Sequence, residues 1–314
     1  MSSDQIHQSG LDVILDAQAR LARTQEELAS GKRILNPSDD PVASAQIQNI
    51  RSELTRIDTL QKNISHATSE LAMVEDSMAS IENILMRARE LAVRGANDTL
   101  SAQDREIIAT EIDGLREQLI MAANAKSTNG EYIYAGFAVA SAPYSDTGVS
   151  ATYNGDTGIK SVNIAPGLTV QTRVVGSEIF GDGSDIAGAL STFESFSVLS
   201  AGLRGNATGD ITALNHNGVA VTQDEAVKIA MDSLDSNLEN ILSKRTDLGV
   251  RLNRVREQEA LNDNFNVRLQ DTLSNLEDLD YAKAIAEMNV QMVALEAAQS
   301  AYVKTQGLSL FNYL

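Results

Sequence analysis

The sequence predicts a mainly α fold, an elongated antiparallel helical bundle or coiled-coil rod with paired terminal helices and an inserted small β-rich domain. Apolar residues alternate every three and four positions from Ile64 to Ala92, as in the seam of a coiled coil. A second stripe with this spacing runs from Val227 to Val255. Between the two stripes lies a glycine-rich segment, since 13 of the 20 glycines fall between Gly136 and Gly218.

The first predicted helix covers roughly Gly10 to Ala29. Its apolar stripe has heptad-like spacing and consists of Leu11, Ile14, Leu21 and Leu28. Gln18 and Gln25 take the seam positions between them, so the stripe is weak, and a single helix of this length is only marginally stable in water. We expect this helix to need a partner.

A proline-containing segment, Asn36-Pro37-Ser38-Asp39-Asp40-Pro41, separates this helix from the next. Each proline disfavours helical geometry in the residue before it. Asp40 is a good N-cap and Pro41 a good first helical residue, so a long helix is predicted from Pro41 to Arg94. At about 1.5 Å per residue, this helix would be roughly 80 Å long.

A third helix follows the glycine that ends the long one. Ser101 followed by Asp104 marks its N-terminus, and Asn129-Gly130 is predicted to close it. Its apolar positions have helical spacing and are Ile108, Ile112, Leu115, Leu119 and Ala122. This helix can complete a bundle with the two long helices.

The pattern then becomes β-like, beginning with the β-prone Tyr132-Ile133-Tyr134. Asn154-Gly155 is a turn dipeptide. Two alternating runs flank Pro166-Gly167, which suits a type II turn, so a hairpin is predicted there. Of the remaining residues to Val221, only Ala187 to Ser200 is compatible with a short helix.

The C-terminal arm mirrors the N-terminal one. Thr222-Gln223-Asp224-Glu225 is a capping box. The second heptad stripe behind it is interrupted by Arg245, and its extension consists of Phe265, Leu269, Leu273 and Leu276. A last helix is predicted from roughly Asp280 to Gln306, with one side formed by Ala282, Ile285, Met292, Leu295 and Tyr302.

This near-palindromic order predicts three domains. Residues 1–32 and 281–314 would form a terminal helix pair. Residues 33–135 and 222–280 would form the core of the helical bundle, and residues 136–221 a β-rich outer domain. The long helices would pair antiparallel, which brings the two terminal helices together.

The composition excludes several functional classes. A net charge of −18 argues against nucleic acid and anionic membranes as partners, and the chain contains no cysteine and no long apolar run. His7, His66 and His216 lie on different predicted elements, and none has a neighbour at metal-ligand spacing. We predict no catalytic, cofactor-binding or metal-binding residues, and no cofactor.

Three motifs permit a chemical interpretation, but a simpler one is preferred for each. Residues 181–185 faintly resemble a calcium loop but lack its acidic ladder, so they are interpreted as a turn. The neighbouring carboxylates Asp39 and Asp40 could form an acid–base pair, but capping explains Asp40 fully, so capping is the preferred role. Asn206-Ala207-Thr208 is a formal glycosylation sequon of a kind that arises often by chance.

The terminal helices carry little charge. Residues 281–314 contain only Lys283, Glu287, Glu296 and Lys304 as charged side chains. This favours burial against other chains over the alternative, in which the last helix joins the core of its own monomer. The residues predicted to contact other subunits are Leu11, Ile14, Leu21, Leu28, Ile285, Met292, Leu295, Tyr302, Leu308, Leu310 and Phe311.

Several motifs resemble the flagellin superfamily, and within it the branch that joins the flagellar hook to the filament. The segment from Ser30 to Ala43, which contains the family motif residues Asn36, Pro37, Asp39, Asp40 and Pro41, is similar to the start of the family's long helix. Residues 129–137 resemble the junction branch's exit from the third helix. Asn253 and Arg254, within residues 248–254, resemble the C-terminal arm. The chain's opening, Met-Ser-Ser-Asp, departs from the family's usual Met-Arg-Ile-Ser.

The resemblance implies a non-enzymatic structural subunit of the bacterial flagellum. It implies self-assembly into a ring, contacts with hook-associated protein 1 and flagellin, and binding to a flagellar export chaperone. Type III export would place the protein outside the cell, and the first residues lack the features of a cleavable secretion signal. The alternatives are a flagellin-type filament subunit and an enzyme or glycan-binding protein with the β-rich insert as its active module.

Overall fold

The computed structural model describes residues 3–97, 99–181, 190–205 and 222–311, with side chains from residue 8 to residue 304 within these ranges. The helices in this part of the chain are α1 (Ser3–Ser30), α2 (Pro41–Gly95), α3 (Ala102–Ala123), α4 (Ser177–Phe180), α5 (Thr192–Leu203), α6 (Gln223–Glu277) and α7 (Tyr281–Phe311). The strands are β1 (Tyr144–Asp146), β2 (Ala151–Tyr153), β3 (Ser161–Ala165) and β4 (Leu168–Gln171). The predicted mainly α fold with a small antiparallel β region is confirmed.

The helix ends follow the predicted caps. The carboxylate of Asp40 accepts a hydrogen bond of 3.0 Å from the backbone N–H of Ala43, at the start of α2. At the start of α6, Thr222 and Glu225 form the reciprocal hydrogen bonds of a capping box. The two long helices have 55 residues each.

Helix α3 ends earlier than predicted, at Ala123 rather than at Asn129-Gly130. The side chain of Asn124 donates to the backbone carbonyl of Tyr144 and accepts from its N–H, both at 2.9 Å. These two bonds attach the end of α3 to strand β1, so the chain leaves the helix there. This partner is remote in sequence and could not be read from the local pattern.

The described structure divides into two compact units. The terminal unit consists of residues 1–58 and 262–314, and the central unit consists of residues 59–261. Each long helix contributes to both units. The three-domain division made from the sequence stays a prediction.

The core of the central unit contains the whole predicted stripe of α2. All nine stripe positions from Ile64 to Ala92 are at most 1% exposed. They share a hydrophobic cluster with α3 residues such as Ile112 and Leu119 and with α6 residues such as Leu234 and Leu248. The predicted bundle of two long helices and a third helix is therefore present in this unit.

Arg245 interrupts the stripe of α6 because it binds two carboxylates of α2. Its guanidinium donates to Glu75, with Nε at 3.1 Å from Oε1, and also forms an ion pair with Glu82. Hydrogen bonds from these two carboxylates raise the pKa of Arg245 above its ordinary value. The stripe thus contains one ionic layer between apolar ones.

Two short hairpins form the β region. The predicted hairpin is confirmed: β3 and β4 pair antiparallel with Val162 opposite Val170, and Gly167 in the turn has a φ of 75°, as a type II turn requires. Strands β1 and β2 form a second antiparallel pair. The β-prone residues 132–134 do not form a strand but a turn, with one bridge from Tyr132 to Lys126.

Aromatic side chains explain why that segment is not a strand. Tyr134 is fully buried and packs edge-on against Phe180 at 5.6 Å between ring centroids, while its hydroxyl donates to Ser77 of α2 at 3.0 Å. Tyr144 contacts Phe193 at 5.0 Å between centroids. The turn therefore serves to insert Tyr134 between α2 and the aromatic cluster.

The terminal unit has a sparser core. The predicted extension of the α6 stripe is wrong at Phe265, which is 48% exposed, whereas Leu269 and Leu273 are partly buried. Counting back from Leu269 in steps of three and four leads to Asn266 and Asn262, and Asn262 is buried. The seam of this part of α6 therefore contains Asn262 and Asn266, and the neighbouring Phe265 lies outside it.

Candidate assembly surfaces

The terminal helices α1 and α7 pack against each other in antiparallel orientation, as the palindromic order predicted. On each helix, positions spaced three and four apart face the partner and are buried or partly buried. On α1 these positions are Gly10, Ile14, Ala17, Leu21, Thr24 and Leu28. On α7 they are Ala284, Met288, Gln291, Leu295, Ala298 and Tyr302.

Three contacts fix the register of this pair. In its middle, the Thr24 hydroxyl donates to the side-chain oxygen of Gln291 at 3.1 Å. At one end, the Tyr302 ring lies so close to Gly10 that an added Cβ would be 2.8 Å from the ring. At the other end, Gly31 leaves room for Tyr281, with its Oη 2.7 Å from the position of an added Cβ.

A short backbone pairing, which we call the clasp, joins residues 31–33 to residues 276–279. The N–H of Arg33 donates to the carbonyl of Glu277 at 2.8 Å, and the N–H of Leu279 donates to the carbonyl of Gly31 at 3.0 Å. The Arg33 guanidinium also donates to the carbonyl of Leu276 at 2.8 Å. The clasp therefore holds the end of α1 beside the start of α7.

The buried carboxylate of the clasp belongs to Glu277. Its side chain is 7% exposed and forms ion pairs with Lys32 and with Arg51, the latter at 2.7 Å. Burial alone would raise the pKa of Glu277, but hydrogen bonds and charge from the two cations outweigh it, so the pKa lies below its ordinary value. Glu277 therefore links the clasp to α2 through charge.

The two motif carboxylates accept backbone hydrogen bonds around the segment that precedes α2, and Asp40 is the one that caps this helix. Asp39 accepts hydrogen bonds from the backbone N–H groups of Asn36 at 2.9 Å and Leu35 at 3.3 Å, and it forms an ion pair with Arg23 at 3.1 Å. The bond from Asn36 is the main reason why the pKa of Asp39 lies below its ordinary value. Pro41 is the first residue of α2, directly after the cap Asp40.

The residues predicted for subunit contacts fall into three groups. Those partly buried in the α1–α7 seam are Ile14, Leu21, Leu28, Leu295 and Tyr302. Those exposed beside the seam are Leu11, Ile285 and Met292. The side chains of Leu308, Leu310 and Phe311 lie outside the described part, although the backbone of these residues belongs to α7. Their role in subunit contacts stays a prediction.

The other face of α7 carries a second apolar stripe that the sequence reading missed. Ala286, Val290, Val293 and Ala297 are spaced four, three and four residues apart and are all exposed. Val290 is 69% and Val293 67% exposed. We call these four residues the outer stripe. The spacing of the outer stripe could have been recognised in the sequence. It was missed because the larger residues on the other sides of α7 were taken as its apolar face.

Sequence reasoning also missed Thr24, Gln291 and Glu277. Polar residues within weak apolar stripes carry no sign of their partners, and each of these three depends on a residue remote in the chain. On α1 the predicted seam positions Ile14, Leu21 and Leu28 are partly buried. The seam positions between them lie one residue earlier than predicted, at Gly10, Ala17 and Thr24, while Leu11, Gln18 and Gln25 are exposed. Small residues let the helices approach closely, and a search for large apolar residues does not find them.

The described residues contain no group of three or more potential metal ligands. His66 lies exposed on α2, whereas the calcium-like residues 182–185, the sequon at residues 206–208, His216 and the His7 side chain lie outside the described part. Asn253 and Arg254 are exposed on α6 in the central unit. In the described helices, no segment is long and apolar enough to cross a membrane.

Comparisons with known proteins point to one family. The model of the bacterial flagellin N-terminal helical region matches residues 2–138, and that of the C-terminal helical region matches residues 231–314. Flagellar hook-associated protein 3 of Escherichia coli K12 is 29% identical over 99% of this chain and 98% of its own length. Flagellin of Listeria monocytogenes is 25% identical over 89% of this chain and 86% of its own.

Solved structures share the fold. The flagellar junction protein of Legionella pneumophila superposes with a TM-score of 0.58 at 20% identity, covering 76% of this chain and 100% of its own. FlgL of Bacillus cereus has a TM-score of 0.57 at 20% identity, covering 72% of this chain and 99% of its own. At these identities, the likeness is one of fold.

Proposed function

This chain belongs to the flagellin family, and we propose that it is the structural subunit that forms the junction between the hook and the filament of the bacterial flagellum. The relatives are structural components of flagella, which confirms both the family resemblance and the prediction that the chain is not an enzyme. The interpretation of the β-rich insert as an active module is therefore dropped.

The observation that carries the junction role is similarity along the full chain. Flagellar hook-associated protein 3 of Escherichia coli and that of Salmonella typhimurium each align with 99% of this chain along 98% of their own length. The flagellin alignment covers less of both chains. The insert between the two helical regions is thus included in the match.

Assembly through the terminal unit is supported by its exposed apolar surface. The outer stripe and the exposed Ile285 and Met292 leave much of α7 uncovered by the described part of the chain. Burial of such surface between subunits stabilises an assembly by about 25 cal/mol per Å². We propose that α1 and α7 of neighbouring copies pack together in a ring.

The remaining partners follow from the proposed position. The ring would stack on hook-associated protein 1 and receive flagellin above, after export through the flagellar type III channel with the help of an export chaperone. Two features suit passage through a narrow channel. The chain has no cysteine and hence no disulfide, and half of the seam positions of the α1–α7 pair hold small or polar residues, which stabilise a helix pair less than large apolar residues do.

Electron microscopy of cells that lack this protein tests the proposal. We expect hooks without filaments and flagellin in the medium, with both defects reversed by the wild-type gene. Normal filaments on such cells would overturn the junction role.

A matched pair of substitutions tests the outer stripe. Val293→Asp places a charge on this exposed face, so it should block assembly while the monomer folds normally by circular dichroism. Val149→Asp, at an exposed position of the central unit, is the control and should support filament growth. Equal growth with both variants would exclude the outer stripe as a subunit contact.

A filament subunit is the second candidate, favoured by the flagellin match over 89% of the chain. Purified protein offered to filament seeds separates the two functions. A junction subunit should stop after a short cap, whereas long polymers grown from this chain alone would identify a filament subunit.

A further inference from the structure

Two asparagine–glycine pairs with different surroundings lie in the central unit. Asn129-Gly130 belongs to the turn after α3, and Asn154-Gly155 follows strand β2. An asparagine before a glycine can lose ammonia without an enzyme, because glycine has no Cβ to hinder the approach of its backbone nitrogen to the asparagine side chain. A third pair, Asn217-Gly218, lies outside the described part of the chain. The surroundings of the first two pairs differ in how far they permit this reaction.

The reaction joins two atoms of neighbouring residues. The backbone nitrogen of the glycine loses its proton and attacks Cγ of the asparagine. The bond from Cγ to the side-chain nitrogen breaks, so ammonia leaves with that proton and a cyclic succinimide remains. Water then adds to one of the two carbonyl carbons of the ring and breaks its bond to nitrogen. The product is aspartate or isoaspartate, water is the only co-reactant, and nothing is oxidised or reduced.

The side chain of Asn129 is free to rotate. Thr128, Asn129 and Gly130 are all exposed, and the Asn129 amide forms no hydrogen bond within the described part of the chain. Nothing lies within 4 Å of a Cβ added to Gly130, whose φ is 80°. One interaction opposes the attack, since the N–H of Gly130 donates to the carbonyl of Ser127 at 2.9 Å. The reaction therefore requires one exposed hydrogen bond to open.

The amide of Asn154 is held in place. Its Nδ2 donates to Oγ of Ser145 at 2.9 Å and to the carbonyl of Thr152 at 3.3 Å. The backbone N–H of Asn154 donates to the carbonyl of Pro143 at 2.7 Å. The N–H of Gly155 has no acceptor in the described structure, so here the amide is restrained rather than the attacking nitrogen.

Tyr153 restrains the backbone around this second pair. Its hydroxyl donates to the carbonyls of Asp156 at 2.9 Å and Tyr134 at 3.0 Å. The same hydroxyl lies so close to Gly155 that an added Cβ would clash with it. The ring therefore limits rotation of the peptide that joins Asn154 to Gly155.

We propose that Asn129 is a site of spontaneous deamidation in the folded protein and that its surroundings protect Asn154. One exposed hydrogen bond has to open at Asn129, whereas two side-chain bonds have to open at Asn154 beside a restrained backbone. The net contribution of one further hydrogen bond corresponds to a rate ratio of at least about fivefold. This inference does not depend on the proposed flagellar role.

Deamidation would change the turn and leave the core in place. Isoaspartate at position 129 adds one carbon to the main chain of a turn that Ser127 closes, since its carbonyl accepts from Gly130 and its N–H donates to the carbonyl of Glu131 at 2.7 Å. Tyr134 is held separately by its hydrogen bond to α2. The altered turn would therefore accumulate with the age of a chain that stays folded.

Mass spectrometry of the full-length chain, incubated in mildly alkaline buffer, tests the proposal. Trypsin cuts after Lys126 and a glutamate-specific protease after Glu131, so the two asparagines fall in separate peptides. We expect conversion of the amide to an acid at least about fivefold faster at Asn129 than at Asn154. A ratio of one or less, or no conversion at either site, would overturn the proposal.

Two comparisons separate the effect of structure from that of sequence. In denaturant both asparagines lose their surroundings, so the two rates should become similar. Ser145→Ala removes one acceptor of the Asn154 amide and should raise the rate at Asn154 severalfold, with the rate at Asn129 unchanged as the internal control. Circular dichroism checks that this variant is folded. A rate at Asn154 that responds to neither change would overturn its protection by the fold.

Discussion

Thr24 and Gln291 are 267 residues apart in the chain and share a hydrogen bond of 3.1 Å within the seam of α1 and α7. Thr24 is almost fully buried, and the seam around this bond consists of small or apolar residues. A polar pair in such a seam can form its bond in only one alignment of the two helices. It therefore selects the register at some cost in stability, as buried polar residues do in coiled coils.

Substitution of Thr24 and Gln291, singly and together, measures how much their hydrogen bond contributes to the stability of the α1–α7 pair. Thr24→Val leaves the Gln291 amide without its partner and should lower the free energy of unfolding of the terminal pair by about 1 kcal/mol. Thr24→Val combined with Gln291→Leu should recover that loss. Hydrogen exchange of the backbone amides of residues 14–28 measures this change in stability. Thr246→Val, at an exposed position of α6, is the control. A double variant less stable than the single one would contradict the role given to the bond.

Two glycines should respond to alanine in opposite ways. Gly31 has a φ of 70° and faces the Tyr281 hydroxyl, so Gly31→Ala should destabilise the clasp by more than about 1 kcal/mol. Gly114 lies within α3 with nothing near an added Cβ, so Gly114→Ala should stabilise by about 0.5–1 kcal/mol. Thermal unfolding followed by circular dichroism compares the two. Equal shifts in melting temperature would refute this difference.

The clasp should weaken in acid because of Glu277. Its pKa is lowered in the folded protein, so its stabilisation is fully present above the ordinary glutamate pKa and is lost as the pH falls through the lower, folded value. Glu277→Gln should cost about 1–2 kcal/mol at neutral pH, since both cationic partners are half exposed. The difference between the variant and the wild type should vanish in strong acid.

Unfolding measured from neutral pH to strong acid checks this prediction. Glu53→Gln is the control, because within the described part of the chain Glu53 pairs with Arg56 alone, one turn away on the same helix, and is more exposed than Glu277. It should cost a few tenths of a kcal/mol. A gap between Glu277→Gln and the wild type that persists in strong acid would show that packing rather than charge explains the loss.

The ionic layer at Arg245 should depend on all three of its members. Arg245→Leu alone leaves Glu75 and Glu82 without their cation beside the core, so it should cost about 2–3 kcal/mol. Replacement of all three by apolar residues of similar size should be neutral or stabilising. Denaturant unfolding measures both, and a triple variant as unstable as the single one would contradict this account.

The sequence by itself determined the helices and the family. Apolar residues spaced three and four apart predict α2 and α6, because residues at this spacing lie on one face of a helix and are buried together. The caps at Asp40 and Thr222 are formed by hydrogen bonds between residues close in the sequence. The turn at Pro166-Gly167 is local in the same way. The caps and the turn depend on a few consecutive residues, and each stripe repeats within one helix. All of these patterns can therefore be recognised without knowing which other segment packs against them.

Only the tertiary structure showed which polar and small residues form contacts with remote parts of the chain. The partner of Thr24, the cations around Glu277 and the insertion of Tyr134 beside Ser77 all join segments remote in the chain. Every second seam position of α1 also differed from the prediction, because small residues at Gly10, Ala17 and Thr24 allow α7 a closer approach than Leu11 would. Close packing depends on the shapes of both surfaces that meet. The sequence of one segment gives information on one of these surfaces alone, so the contact could not be predicted from it.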